Sequence, residues 1–251
     1  MEQEDKIKFA DDILKYCKKY SIPVEAFLDI LEDQKVTPML RGKAMEYRVY
    51  KQLLDILPSG VWGVQKLNLN AQPGISDEDI SVTHRRTGII LKVESKSASR
   101  GSFRSGERCR KVKEPHFTVK CHRSRSNIKL ADSSNDRYPV DRFDILITNS
   151  VNAVYLGNTV GESLEVIDDP VLKDILYQHY AVSTDKELIE ACDNDWRFCL
   201  PQDIAVEGFI PRTPYVRLVD DTHWKDLADI EHTLLSVIEN KRKQNHPARR
   251  K

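Results

Sequence analysis

Asp79-Ile80-Ser81-Val82 and Ile89-Ile90-Leu91-Lys92-Val93-Glu94-Ser95-Lys96 read as the two arms of a β-hairpin about a turn at Arg86-Thr87-Gly88. Apolar residues alternate along both arms, so one face of the pair must be buried. Matching those faces sets Ile80 opposite Val93 and Val82 opposite Leu91. A turn of two or four residues satisfies that register, whereas three residues without a bulge would break it. Asp79 then faces Glu94 across the hairpin. Lys96 points the same way as Glu94, because strand side chains repeat every two residues.

That register has a chemical consequence. Two carboxylates held close on neighbouring strands repel each other unless a cation lies between them. Oxygen ligands of this kind favour a hard ion, Mg2+ in a cell, which keeps several waters and reaches for phosphate. A lysine beside such an ion can orient a water, help to deprotonate it, or stabilise charge building on a phosphate. Asp77 and Glu78 compete with Asp79 for the first ligand position, and the face argument favours Asp79.

Outward from the hairpin, residues 41–57 form an expected helix with an apolar face of Ala44, Met45, Val49, Leu53, Leu54 and Leu57, ended by Pro58-Ser-Gly60. A strand begins at Val61-Trp-Gly-Val64 and continues through Leu67-Asn-Leu69. Downstream, Phe143-Asp-Ile-Leu-Ile147 reads as a buried strand, with Ala153-Val-Tyr-Leu156 following it past an Asn-containing turn. Two helices occupy residues 5–33. Towards the other end, Thr184-Asp-Lys-Glu187 has the spacing of a capping box, and residues 223–241 read as a long helix. The sum is an α/β or α+β fold, with a mixed central sheet flanked by helices. The expected organisation is a helical region at 1–40, a core at 41–160, a mostly helical region at 161–240 and a disordered basic tail at 241–251.

Asp79, a gap of fourteen residues and Glu94-Ser-Lys96 on an apolar strand resemble the core of the PD-(D/E)XK nucleases. Arg41-Gly-Lys-Ala-Met-Glu46 adds to the resemblance by placing Glu46 on the preceding helix, where many of these nucleases carry a further acidic residue. The strand at 143–147 sits where the family's next core strand would. The likeness covers residues 41–148 and departs from the pattern in one respect: no proline precedes Asp79, the nearest being Pro73. It implies a restriction-endonuclease-like core, most similar to type II restriction endonucleases. Asp79 and Glu94 would bind Mg2+, Lys96 would orient or activate the attacking water, and Glu46 would support a metal or the lysine. The implied products are 5′-phosphate and 3′-hydroxyl ends, and the implied setting is restriction-modification.

Charge placement agrees with a nucleic-acid substrate. The 251 residues have a net charge of zero, yet Arg85–Lys129 holds fourteen Lys/Arg against Glu94, Glu107 and Glu114. Between Val151 and Ile210 the balance reverses, with twelve Asp/Glu against Lys173, Lys186 and Arg197. A basic block inside a neutral chain is the sequence footprint of a polyanion-binding face. Its candidate DNA contacts are Ser97, Ser99, Arg100, Arg104, Lys120, His122, Arg123, Arg125 and Asn127, whose hydroxyl, guanidinium, ammonium and amide groups suit phosphates and base edges. A homodimer is expected, since a two-fold protein matches a palindromic site. The alternatives are a structure-directed or repair nuclease of the same fold, or a non-catalytic DNA-binding protein.

Composition narrows the setting. At 40% hydrophobic and 31% charged residues the chain is an ordinary globular protein, and no window approaches a membrane span. Met-Glu-Gln-Glu-Asp-Lys at the start is not a secretory signal, so a cytoplasmic location is expected. The five cysteines show no paired metal-binding spacing, which favours free thiols over a zinc site from Cys109, Cys121 and His122.

Overall fold

The hairpin forms in the expected register. In the computed structural model, which describes residues 2–66, 79–106, 109, 112–122, 136–156 and 165–245, β2 (Ile80–His84) pairs antiparallel with β3 (Ile90–Ser95). Ile80 lies against Val93 and Val82 against Leu91. The connection is the four-residue option, Arg85–Gly88. The His84 amide donates to Ile89 O at 2.9 Å, and the Gly88 amide returns to His84 O at 2.9 Å. Gly88 takes a φ of 69°, a left-handed conformation that glycine adopts without a Cβ clash.

Around this pair grows a six-stranded sheet with one strand beyond β2 and three beyond β3. The outer strand beside β2 is β1 (Trp62–Lys66). On the other side, β5 (Ile145–Asn149) pairs parallel with β3, and β6 (Trp196–Cys199) and β8 (Lys225–Asp226) follow antiparallel. The sheet is therefore mixed, as expected. A separate two-stranded sheet joins β4 (His116–Thr118) to β7 (Tyr215–Arg217).

Period-two alternation divides the core between the two faces of the large sheet. On one face Trp62, Ile80, Val82, Leu91, Val93, Ile145, Ile147 and Phe198 pack with Met45, Val49 and Leu53 of α3 (Val36–Ile56). Ile230, Leu234 and Ile238 of α7 (Ile230–Asn245) join the same cluster. The opposite face turns Leu146 and Cys199 towards α4 (Val151–Val154), α5 (Pro170–Tyr180) and α6 (Asp185–Asn194), and towards Phe117 and Val216 of the small sheet. Every residue of β5 is buried, as a strand covered on both faces must be. Each such aliphatic side chain contributes roughly 1.5–3 kcal/mol of transfer free energy.

The chain divides into two units, Met1–Ala44 and Met45–Lys251. In the first, α1 (Gln3–Lys19) carries Glu4 and Asp5 in its first turn and Lys18 and Lys19 in its last, complementing the helix dipole. It closes where the Ile22 amide reaches Cys17 O at 2.9 Å, and α2 (Phe27–Glu32) follows. The second unit holds the whole sheet. The helix α3 starts at Val36, earlier than the expected 41, because Pro38 falls in the first turn, where an amide has no partner to lose.

Several other expectations change. Ala153–Leu156 is only in part extended: Val151–Val154 is the short helix α4, entered through Asn149, whose Oδ1 accepts the Val151 amide at 3.0 Å, and Tyr155 then bridges Val166 antiparallel. The region 161–240 carries helices as expected but also supplies β6 and β8 to the central sheet and β7 to the small one. The last helix begins at Ile230 rather than 223, since Lys225–Asp226 is spent on β8, and it continues through Asn245 into the expected tail. The remaining tail and Leu67–Leu69 lie outside the described residues. The capping box forms: Thr184 Oγ1 accepts the Glu187 amide at 3.2 Å, and Glu187 Oε2 accepts that of Thr184 at 3.0 Å. All five cysteines are free thiols. Among the described residues no helix is long and apolar enough to cross a membrane.

Candidate active site

The C-terminal end of β3 gathers the residues singled out by their chemistry. Asp79 immediately precedes β2, Glu94 and Ser95 close β3, and Lys96 follows with its amide donating to Ile147 O of β5 at 2.9 Å. The central strand thus fixes the backbone at the lysine. Asp79 Oδ2 accepts two hydrogen bonds from Ser95, one from the amide at 2.9 Å and one from the hydroxyl at 2.8 Å. Glu94 and Lys96, two residues apart on one face, form an ion pair with Nζ–Oε1 of 2.5 Å. Glu46, on α3, pairs with Lys66 at the end of β1. Both glutamates are nearly buried, at 8% exposure for Glu46 and 6% for Glu94.

The electrostatics ties these residues together. Burial pushes the Asp79 carboxyl above its ordinary range; Lys96 opposes that, the Glu46 carboxylate reinforces it, and the Ser95 hydrogen bonds pull it back. Burial also works against the Lys96 ammonium, but the adjoining Glu94 carboxylate, helped by Tyr138 and Asp79, outweighs it and raises the lysine's pKa. Lys96 is therefore protonated at neutral pH. It can orient a water or hold negative charge, while it is poorly placed to act as a base.

The donor set suits a hard cation. Asp79 is an acid whose charge is disfavoured by burial and by a neighbouring carboxylate, and a divalent ion would relieve both. Asp79 and Glu94 are the residues that could hold one, whereas Glu46 is occupied by Lys66. Among the described residues, no three or more His, Cys, Asp or Glu side chains gather into a metal cluster. An ion here would take two protein carboxylates and complete its shell from water and phosphate, which is the habit of Mg2+. Asp77, the competing candidate, lies outside the described residues. The same absence of a cluster gives no support to zinc at Cys109, Cys121 and His122.

The chain continues from Lys96 into an arm beside the site. Ala98 bridges Val119 and Arg104 bridges His116, both antiparallel. The Ser99 amide donates to Thr118 O at 2.8 Å, and the Lys120 amide to Ser97 O at 3.2 Å. This pairing places Ser97, Ser99 and Arg100 on one strand of the arm and Lys120 and His122 on the other, the last two exposed. Arg104 sits differently from the others: its Nη1 bonds Gly101 O and Phe103 O, each at 2.6 Å, so it braces its own loop. Arg123, Arg125 and Asn127 lie outside the described residues.

Three participants escaped the sequence reading. Ser95 holds Asp79. Tyr138 hydrogen-bonds Lys96, whose Nζ lies 5.2 Å from the ring centroid, and its ring rests edge-on against Phe143 at 5.6 Å. Lys66 holds Glu46. Only Lys66 left a signal, since it takes the inward position after Trp62 and Val64 on β1, where alternation calls for an apolar residue.

No protein-family profile matches this chain, and no curated protein matches it in sequence. Among solved structures, a bacterial homing endonuclease, I-Ssp6803I, is similar over 84% of this chain and 98% of its own, at a TM-score of 0.36 and 12% sequence identity. A likeness that loose carries no argument about activity, which rests on the residues themselves.

Proposed function

We propose that this protein is a Mg2+-dependent endonuclease that hydrolyses double-stranded DNA at a specific short site, in the manner of a type II restriction enzyme. One observation carries the reading. Asp79 lies in the field of both Lys96 and Glu46 and is held by Ser95, the residue between Glu94 and Lys96. Glu46 and Asp79, Asp79 and Lys96, and Lys96 and Glu94 are thus coupled pairwise, which supports reading them as one site.

Asp79 and Glu94 would hold the ion, which when bound would supply Lewis-acid charge to the phosphate and lower the pKa of water. Lys96, protonated and tethered by Glu94 and Tyr138, orients the attacking water and stabilises charge developing on the phosphate oxygens. The water oxygen bonds to phosphorus, the bond to the 3′ oxygen breaks, and that oxygen takes up a proton. The products are 5′-phosphate and 3′-hydroxyl ends. Ser97, Ser99, Arg100, Lys120 and His122 on the arm beside the site face the DNA, joined by the basic Arg123 and Arg125 and by Asn127. A homodimer would bring two such sites to a palindrome.

The test is incubation of the protein with unmethylated plasmid and phage DNA, in Mg2+ and in EDTA. Discrete fragments in Mg2+ alone are expected, with end-sequencing giving the site. Cleavage of branched or flapped DNA but not plain duplex would move the assignment to a structure-directed nuclease. Mg2+-independent binding without cleavage of either would make it a DNA-binding protein. A folded Lys96→Met protein that cuts as well as the parent would overturn the site.

A further inference from the structure

The arm that carries the expected DNA contacts is broader than its two basic strands. Its middle strand pairs on the far side with β7, a segment past the acid-rich stretch and outside the basic block. Phe117 lies against Val216 and His116 against Arg217. The pairing runs on where the Val119 amide reaches Pro214 O at 3.0 Å and the Cys121 amide reaches Arg212 O at 2.8 Å. Alternation sorts the two faces. Ala98, Phe103, Phe117, Val119, Cys121 and Val216 are buried in the core beneath. The opposite face therefore takes Ser97 and Ser99 from the first strand, Thr118 and Lys120 from the middle one, and Tyr215 and Arg217 from β7. None of them is acidic. Across the strands, Arg104 bridges His116, which lies opposite Arg217, so one row carries two arginines about 9–10 Å apart at the backbone. His116 between them is covered, its ring edge-on to that of Tyr215 at 5.2 Å. Among the described residues neither arginine pairs with an acid. Asp221, in the turn that follows, is spent on the amides of Arg217, His223 and Trp224 at 2.7, 2.8 and 2.9 Å.

We infer that β7 is the third strand of the DNA-binding face and that Arg217 contacts a backbone phosphate of the duplex. The inference rests on the nuclease reading proposed above. Charge and continuity point to the occupant. The face begins at Ser97, one residue past Lys96, and reaches β7 across the middle strand, where the Lys120 amide donates to Ser97 O. Two guanidiniums without acid partners, together with Lys120 on one acid-free surface, suit a polyanion. Shape decides which part of the duplex they meet. The major groove, about 12 Å wide, admits a helix or a two-stranded ribbon. Three strands backed by a hydrophobic core are too broad to enter it. The face then lies across the phosphates, and its outermost strand positions the duplex without reading bases.

The test reads the duplex affinity of the full chain in EDTA, where no cutting intervenes. A fluorescein-labelled duplex of mixed sequence, about 30 base pairs long, is titrated by fluorescence anisotropy over a range of NaCl. One phosphate contact accounts for about 0.9 in the slope of log K against log salt, or roughly eightfold in affinity at about 0.1 M. Arg217→Ala should lose that much, and Arg217→Lys, which keeps the charge, should keep the parent's slope. Lys120→Ala should lose as much as Arg217→Ala. Lys186→Ala, whose lysine lies exposed on α6, should match the parent. An Arg217→Ala protein with the parent's slope and affinity overturns the inference whatever Lys120→Ala does, and leaves the nuclease reading to its own cleavage test. A loss in Lys186→Ala equal to that in Arg217→Ala also overturns it, since net charge alone would then explain both. Arg217→Gln, which keeps the side chain's length, gives the same reading should Arg217→Ala fail to fold. A parent that binds no duplex even at about 0.05 M salt overturns the DNA reading itself, and the inference with it.

Discussion

Two polar clusters lie close to the central sheet, and they differ in charge balance. Where β5 ends and β6 begins, Asp195 receives Arg197 Nε at 2.6 Å and the Tyr180 hydroxyl at 2.6 Å, with Ser150 3.3 Å from Tyr180. One carboxylate meets one guanidinium, and both carboxylate oxygens are occupied. At the end of β3, the carboxylates of Glu46, Asp79 and Glu94 outnumber the ammonium groups of Lys66 and Lys96. The first arrangement is closed and stabilises the fold. In the second, burial and the neighbouring Glu46 disfavour the Asp79 charge while Lys96 and Ser95 favour it, so its charges are not matched one to one.

That contrast can be broken by exchanging its terms. Asp79→Asn should lower DNA cleavage by about 10²–10⁴-fold, the scale of losing a group that acts directly in the reaction. It should leave the metal-free protein at least as stable as the parent in thermal unfolding, because burial disfavours the Asp79 charge that it removes. A marked loss of stability would place Asp79 in the closed class instead. Asp195→Ala should do the reverse. Leaving the part-buried Arg197 and the Tyr180 hydroxyl without their acceptor costs about 1–3 kcal/mol in denaturant unfolding, and the folded fraction should cleave at the parent's rate.

Smaller effects sharpen the comparison. Tyr138→Phe keeps the ring over Lys96 but removes one hydrogen bond, about 1 kcal/mol, or roughly a fivefold loss in kcat with little change in stability. An unchanged rate would show that Lys96 is held by Glu94 alone. The smallest effect concerns Asp185, which accepts Lys173 Nζ at 2.9 Å and the Tyr177 hydroxyl at 2.7 Å. The hydrogen bonds from Lys173 and Tyr177 lower its pKa below the usual 3.8. Its contribution is present above the unfolded value and is lost as pH falls through the depressed one. Asp185→Asn should therefore flatten the acid limb of the stability profile, leaving cleavage near neutrality untouched.

How much could be read in advance depended on sequence distance. The hairpin was legible because Ile80, Val82, Leu91 and Val93 alternate over a short turn and any slip would turn Ser81 and Lys92 towards the apolar cluster instead. The same register brought Asp79 to the end of β3, where it meets Ser95. Strands β6 and β8 were not legible, since their partners are remote in sequence and four or two residues carry too little pattern. Ala153–Leu156 misled because a short apolar run has no period of its own. Tyr138 reaches Lys96 only through the tertiary path of its loop. Lys66 was visible as a lysine in an apolar alternation, but its meaning needed α3 in place beside it.

The antiparallel hairpin also bears on the order in which the chain matures. Ile80 meets Val93 across a four-residue turn, whereas Leu146 must wait for Cys199. Pairings between near neighbours in sequence form sooner than remote ones, and a chain on the ribosome emerges in the same direction. Asp79, Glu94 and Lys96 are therefore made early, while the tyrosine that steadies Lys96 and the strand that flanks β5 arrive later. A half-made chain would carry the Glu94–Lys96 pair without Tyr138. The candidate site is thus complete only when the last strands have closed on the hairpin, so any activity it has would be a property of the finished fold and not of the nascent chain.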